Sequence, residues 1–445
     1  MPASSTLSER VGAYVSTVRY EDLSPSVVRT AKDLIVYHLG LAFTGARQPA
    51  GEAAIRVAER LGSAGPCRVI GRDGGHQPLD AAFANCTLMR ANGRDDVLFP
   101  VGVHAGLVTI PPALAFGEAC HRNGRDVLAA IVAGYEVIGV LGRSIWAWDG
   151  TVPRRPTIPF GPFGAAAVSA RLLGLNSARA AHAIGYAAHS AMGLAIGDLV
   201  THYYSLVARN GMLGAILAEE GGRAADDVLE GRNGFYESFF GVLPAAIDGA
   251  VAELGREPEI RNATTKRYDG TALNIVPIEL TLDLVARHGV RPPDVREIRI
   301  CLPEERANFR AGHSLGPFAT PSEMASSAAF QVSAILHDGG LRDDRFIRGM
   351  DGGSGEILRR TRIELEPGHP IRYARLEIDL IDGRTIAAEG SDHVFPPEEP
   401  QTWLARDGSH FVDPERLADA VALVESLEEL DDLGRLTQLL TPGSD

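Results

Sequence analysis

The sequence predicts a mainly α-helical protein with an α+β lid: a large all-helical domain formed by both chain ends, plus a smaller inserted α+β domain. Three observations predict it. From Ser24 to about Phe240, small and aliphatic residues recur at three- and four-residue spacing, with Gly or Pro at the breaks. After about Asn262 apolar and polar residues alternate, as in half-buried strands. From Pro414 to Leu440 helical periodicity returns. The expected division is 1–262 with 398–445 for the helical domain and 263–397 for the lid, with a cleft where they meet.

SPSVVRTAKDLIVYHLGLAF opens the first long helix, with Ser24 as N-cap and Pro25 at the first helical position, where a missing N–H costs nothing. TIPPALAFGEAC, from Thr109, repeats that logic with Pro111 and Pro112 in the first turn, and AAAVSARLLG ends at a capping Gly174. Alanine and glycine dominate GPFGAAAVSARLLGL and ARNGMLGAILAEEGG, which permits close helix approach inside a bundle. In the lid, DVREIRICLP and TRIELEPGHPIRYARLEIDLIDGRTIAAEG read as strands, with a tight turn at Asp382-Gly383. TLDLVARHG and SEMASSAAFQVSAILHDGG read as helices ending at Gly289 and Gly339. The C-terminal run PERLADAVALVESLEELDDLGRLTQLL is expected to pack on the first domain.

At 445 residues the chain has room for about two or three domains, and 45% hydrophobic residues can bury a large interior. Acidic residues outnumber basic ones 57 to 43, and the net charge of -14 argues against nucleic acid as a partner. A small anionic substrate stays compatible, because a few arginines in a cleft reverse the local potential. Cys67, Cys86, Cys120 and Cys301 lie far apart without metal-binding spacing and read as reduced and structural. The start MPASSTLSER shows no secretory pattern, and no apolar stretch reaches the roughly 18 residues of a membrane helix, so a cytoplasmic, non-membrane protein is expected.

Candidate chemistry concentrates in RANGRDDVLFPVGVHAG, which holds Asn92, Asp95, Asp96 and His104. A metal site is disfavoured, since one His and two adjacent carboxylates lack a spacing that puts ligands on one face. Two readings stay open: a carboxylate paired with His for proton transfer, and a loop stabilised by local aspartate hydrogen bonds. GRDGG and GMDGGSGE lack the strand-to-helix context of a phosphate loop and read as turns. There is no G-x-S-x-G elbow. His182, His189 and His337 read as packed or exposed. Arg154 and Arg155 sit in a Pro-rich loop that suits either a carboxylate clamp or a solvated basic face. His202, Tyr203 and Tyr204 stand together and either bring a phenol to the cleft or pack.

These stretches in this order resemble the MmgE/PrpD family across nearly the whole chain. The resemblance rests on RANGRDDVLFPVGVHAGLVTIPPALAFGEA, AIVAGYEVIGVLGR, FGPFGAAAVSARLLGL, ARNGMLGAILAEEG followed by Gly234-Phe235, and KRY at Lys266. It implies a helical domain with an α+β lid, a homodimer, a site between the domains, and neither cofactor nor metal. It carries over Asp96 and His104, with Ala105 where the family has proline. Other family positions have changed type: its His before Pro-Thr falls on Arg155, ahead of Pro156-Thr157, and its Lys and a second His fall on Val200 and Tyr203. A third His falls on Ile275 and a Tyr on Phe330.

The resemblance thus implies a lyase or isomerase acting by proton abstraction at carbon next to a carboxylate or carbonyl of a small substrate. The expected roles are His104 as base, Asp96 as its partner, and Tyr203 or Tyr268 as proton donor. Arg155 is the expected carboxylate anchor, with Asn92, Thr157, Lys266 and His202 as further binding residues. Two alternatives stand beside it: a divergent epimerase, cyclase or double-bond isomerase on a less acidic secondary metabolite, and a non-catalytic binding protein on the same fold.

Overall fold

The computed structural model describes residues 5–62, 64–145, 155–192, 201–307, 309–318, 321–340, 352–391 and 399–443. The architecture is mainly α, with a small α+β part. In the first half run α1 (Leu7–Thr17), α2 (Pro25–Gly45), α3 (Pro49–Leu61), α4 (Pro78–Arg90) and α5 (Ala105–Ala119). They continue as α6 (Gly124–Arg143), α7 (Thr157–Leu173), α8 (Ser177–His189) and α9 (Thr201–Glu219). α7 is packed by α5, α6, α8 and α9, and α4 lies against α2, α5 and α9. Small residues set these distances. A Cβ on Gly211 of α9 would come within 2.3 Å of the Pro162 carbonyl oxygen on α7.

One apolar core runs from Leu7 to Ile260 and takes in Leu404, Leu417, Val424, Leu433 and Leu440, so the C-terminal segments pack with the N-terminal helices. A second core joins Leu280 and Leu284 to Ile298, Ile300, Leu376 and Ile378. There Ile275–His288 packs on a four-stranded sheet of order β4-β3-β5-β6, where β3 is Val295–Pro303, β4 Thr361–Glu366, β5 Ala374–Leu380 and β6 Thr385–Gly390. β3 pairs parallel with β4 and antiparallel with β5, and β5 with β6. The turn between the last two has Gly383 at φ 90°. Among the described residues no helix is long and apolar enough to cross a membrane.

Local readings were corrected at three places. α5 begins at Ala105 rather than Thr109, so Pro111 and Pro112 lie inside it; Thr109 Oγ1 donates back to the Ala105 carbonyl at 2.8 Å. SEMASSAAFQVSAILHDGG is two helices, Pro321–Ser326 and Ala328–Asp338, because Ser327 turns out and caps the second by accepting from Phe330 N. The second glycine-rich stretch is no turn where described: Gly352–Arg359 is a helix that buries Ile357 and Leu358 against the lid core. Arg154 and Val200 lie outside the described residues.

Candidate active site

The loop from α4 to α5 is folded back on itself. Leu98 N donates to Val103 O and Gly102 N to Leu98 O, both at 2.7 Å, closing a tight turn in which Gly102 takes φ 76°, a conformation side chains disfavour. That turn returns His104 to the two aspartates. The same loop forms β1 (Val97–Leu98), which pairs antiparallel with β2 (Ala263–Thr264) and so brings Lys266 alongside. Tyr37 of α2 clamps both strands: its hydroxyl accepts from Lys266 N at 2.9 Å and lies in donor contact with the Lys266 and Arg94 carbonyls.

His104 sits just before α5, with its Nδ1 2.9 Å from the Asp96 backbone carbonyl and 2.5 Å from Asp95 Oδ2. A carbonyl only accepts, so Nδ1 carries the proton and Nε2 keeps its lone pair. The His104 N–H donates to Thr157 Oγ1 at 2.9 Å, at the start of α7. Its ring lies 5.5 Å from that of Tyr204, whose other neighbour is the Arg90 guanidinium at 4.9 Å. Arg90 Nη1 in turn donates to Asp95 Oδ1 at 2.5 Å.

The carboxylate beside the imidazole is therefore Asp95, where sequence reasoning chose Asp96. The Asp96 carboxylate is occupied: it accepts from Gly106 N at 2.9 Å and Tyr135 OH at 2.7 Å, and His38 Nε2 lies 3.2 Å from it. Asp96 reaches His104 through its backbone. Burial opposes the charge on Asp95, but Arg90, His104 and Lys266 outweigh it and hold the carboxyl well below the usual range. Burial lowers His104 from the ordinary histidine value, against the pull of Asp95. Burial also brings Lys266 down to about 8, opposed by Asp95. Lys266 Nζ donates to Gly93 O at 2.6 Å and Gly270 O at 3.2 Å, and stands 4.0 Å from Asp95 Oδ2.

The structure thus gathers Asp95, Asp96, His104, Thr157 and Lys266. Asn92 lies on the same loop, one residue before the Gly93 carbonyl that holds Lys266, with its Nδ2 buried and unpartnered. Arg155 is half-buried two residues before Thr157. Of the remaining choices, Tyr203 is exposed, His202 is exposed and stacks on Phe83, and Tyr268 donates to Glu279 Oε1 at 2.5 Å. Of the adjacent tyrosines it is Tyr204 that turns inward, and the buried series Val207, Ala208, Gly211, Met212 and Ala215 carries that signal in helical spacing. His38 and Tyr135 were missed, because each lies within a helix and the carboxylate it faces, that of Asp96, is distant in sequence.

Among the described residues, one group has metal-ligand geometry: Cys301, Glu364 and Glu366 on the lid sheet. The Arg375 guanidinium already contacts it, donating to Cys301 Sγ at 3.2 Å and Glu366 Oε1 at 2.5 Å, so it reads as an ion-pair cluster.

The MmgE/PrpD N-terminal domain model matches residues 9–247. A cis-aconitate decarboxylase of Aspergillus terreus is 28% identical over 98% of this chain and 96% of its own length. A cis-aconitate decarboxylase-like protein, oryM, of Aspergillus oryzae is 25% identical over 96% of each chain.

Proposed function

The chain belongs to the MmgE/PrpD family, and from that premise we propose a lyase or isomerase that needs no cofactor and removes a proton from carbon next to a carboxylate or carbonyl of a small substrate. The observation that carries this reading is the orientation of His104: Nδ1–H is held by the Asp96 carbonyl and faces the Asp95 carboxylate, leaving Nε2 as the base. Nε2 takes the proton, and the C–H electron pair moves into the adjacent carboxylate or carbonyl. Asp95 stabilises the imidazolium that forms. The Lys266 ammonium supplies positive field for the enolate-like intermediate. Arg155 anchors one substrate carboxylate, with Asn92 and Thr157 lining the same side. The pair then leaves by expelling a group from the next carbon, or returns to a proton. A lyase is favoured over an isomerase because the relatives' printed names are decarboxylases.

The two apolar cores support the division into a helical domain of 1–262 with 398–445 and a lid of 263–397. Four unpaired cysteines suit a reducing, cytoplasmic setting. Self-association as a homodimer is supported by α9, where Leu206, Leu213 and Leu217 are each about 40% exposed along one stripe.

The test is proton NMR in D2O on a panel of mono-, di- and tricarboxylates. Loss of a substrate C–H signal that disappears with His104→Gln supports the reading, and exchange that survives the substitution rejects it. Wash-in without release of water or carbon dioxide rejects elimination in favour of epimerisation.

A further inference from the structure

Four side chains close a circuit at the site. His104 Nδ1 stands 2.5 Å from Asp95 Oδ2, and Arg90 Nη1 donates to Asp95 Oδ1 at 2.5 Å. The Arg90 guanidinium lies 4.9 Å from the centre of the Tyr204 ring, and that ring lies 5.5 Å from the imidazole of His104, tilted 59° to it. Tyr204 thus completes the path from the carboxylate back to the base. The next residue anchors it: Ser205 is fully buried, with its hydroxyl 2.5 Å from Thr87 Oγ1 near the end of α4, the helix that closes at Arg90.

Arg90 depends on that ring. It is buried, and its Nε has no hydrogen-bond partner. Among the described residues the bond from Nη1 to Asp95 is the one hydrogen bond of the guanidinium, so the Tyr204 ring is its second restraint. A desolvated guanidinium over an aromatic face is held there by cation–π attraction. Asp95 in turn presents Oδ2 to the imidazole because Arg90 holds Oδ1. Both contacts of Tyr204 are made by its ring.

We propose that Tyr204 is a positioning residue: its ring holds Arg90 and His104 together, and so keeps Asp95 Oδ2 opposite Nδ1–H and Nε2 free to take the proton. The proposal rests on the proton-transfer reading above for calling His104 a base. It assigns the role to the aromatic ring and not to the phenol, so phenylalanine suffices at this position and an aliphatic side chain does not.

Two readouts on the full chain test it: nitrogen-15 NMR of the His104 ring, which needs no substrate, and steady-state kinetics on a carboxylate that shows His104-dependent exchange. Tyr204→Phe is expected to match the wild type in both. In Tyr204→Leu, and in Arg90→Lys, which keeps a charge for Asp95 but loses the stacking plane, the Nε2–H tautomer is expected to rise about fivefold. The same two variants are expected to lose about tenfold or more in kcat with KM within about twofold, as for a group that places the base without touching substrate. Should Tyr204→Leu not fold, Arg90→Lys carries the same test. Unchanged ring shifts, or an unchanged kcat, overturn the proposal, and so does a loss in Tyr204→Phe, which moves the role to the hydroxyl. If the ring shifts respond as expected but no carboxylate exchanges a C–H, the positioning role stands and the proton-transfer reading falls. His104-dependent exchange that ignores Tyr204→Leu and Arg90→Lys keeps that reading and overturns the positioning role.

Discussion

His104 and Asp95 meet at 2.5 Å, Nδ1 to Oδ2, while the neighbouring Asp96 meets the same nitrogen only through its backbone carbonyl. Consecutive residues thus divide the work: one supplies a charge, the other a fixed acceptor that sets the tautomer. The Asp96 carboxylate, turned the other way, ties the loop to α5 and α6 through Gly106 and Tyr135, with His38 Nε2 of α2 3.2 Å away.

Replacing the two aspartates separates these roles. Asp95→Asn is expected to lower kcat/KM by about 100-fold or more, since the imidazolium loses its counter-charge. It also leaves Arg90 buried without its carboxylate, at a cost of about 3 kcal/mol. Asp96→Asn is expected to cost about 1–3 kcal/mol of stability with a smaller loss of rate. Denaturant titration together with steady-state kinetics on both variants checks the division.

The pH profile follows from burial. His104 titrates below 6.5, so the acid limb of kcat/KM is expected below that pH. Between its folded value and 6.5 the unfolded chain binds a proton that the folded chain does not, so this histidine's contribution to stability rises with pH and is lost as pH falls. Lys266 loses its proton near about 8, which places the basic limb there. A Lys266→Met profile without that limb confirms the assignment; an unchanged limb refutes it.

Gly106→Ala tests the packing behind the site. A Cβ there would lie 2.1 Å from His38 Cε1 and 2.7 Å from Asp96 Oδ1. The expected loss is about 1–3 kcal/mol, read as a lower Tm, with a fall in activity as the loop shifts. An unaltered Tm refutes the contact.

The surface of α9 gives a fourth outcome. Leu213→Glu puts a charge in the middle of the exposed stripe and is expected to convert a two-chain species to one chain in light scattering. Retention of the two-chain mass removes α9 from the interface.

Helix positions were legible because apolar spacing and glycine stops are local: Gly174, Gly289 and Gly339 end their helices in the left-handed region. The loop holding the site was legible from its cluster of Asp and His. Which carboxylate faces the imidazole was not, because that depends on the turn closed by Gly102 and on Arg90 reaching back from α4. His38 and Tyr135 were hidden for a related reason. A polar residue within a helix shows a partner distant in sequence only once the helices are assembled. Tyr203 was preferred to Tyr204 because a family His position falls on it, although the buried face of α9 favours Tyr204.

The central claim is that His104 rests as a neutral base with its proton on Nδ1. Nitrogen-15 NMR of the histidine rings at pH 7, with His104 assigned by its loss in His104→Gln, measures this directly. The account predicts a protonated Nδ1 and a bare Nε2 for His104. A proton on Nε2, whether in the other neutral tautomer or in an imidazolium, would contradict it.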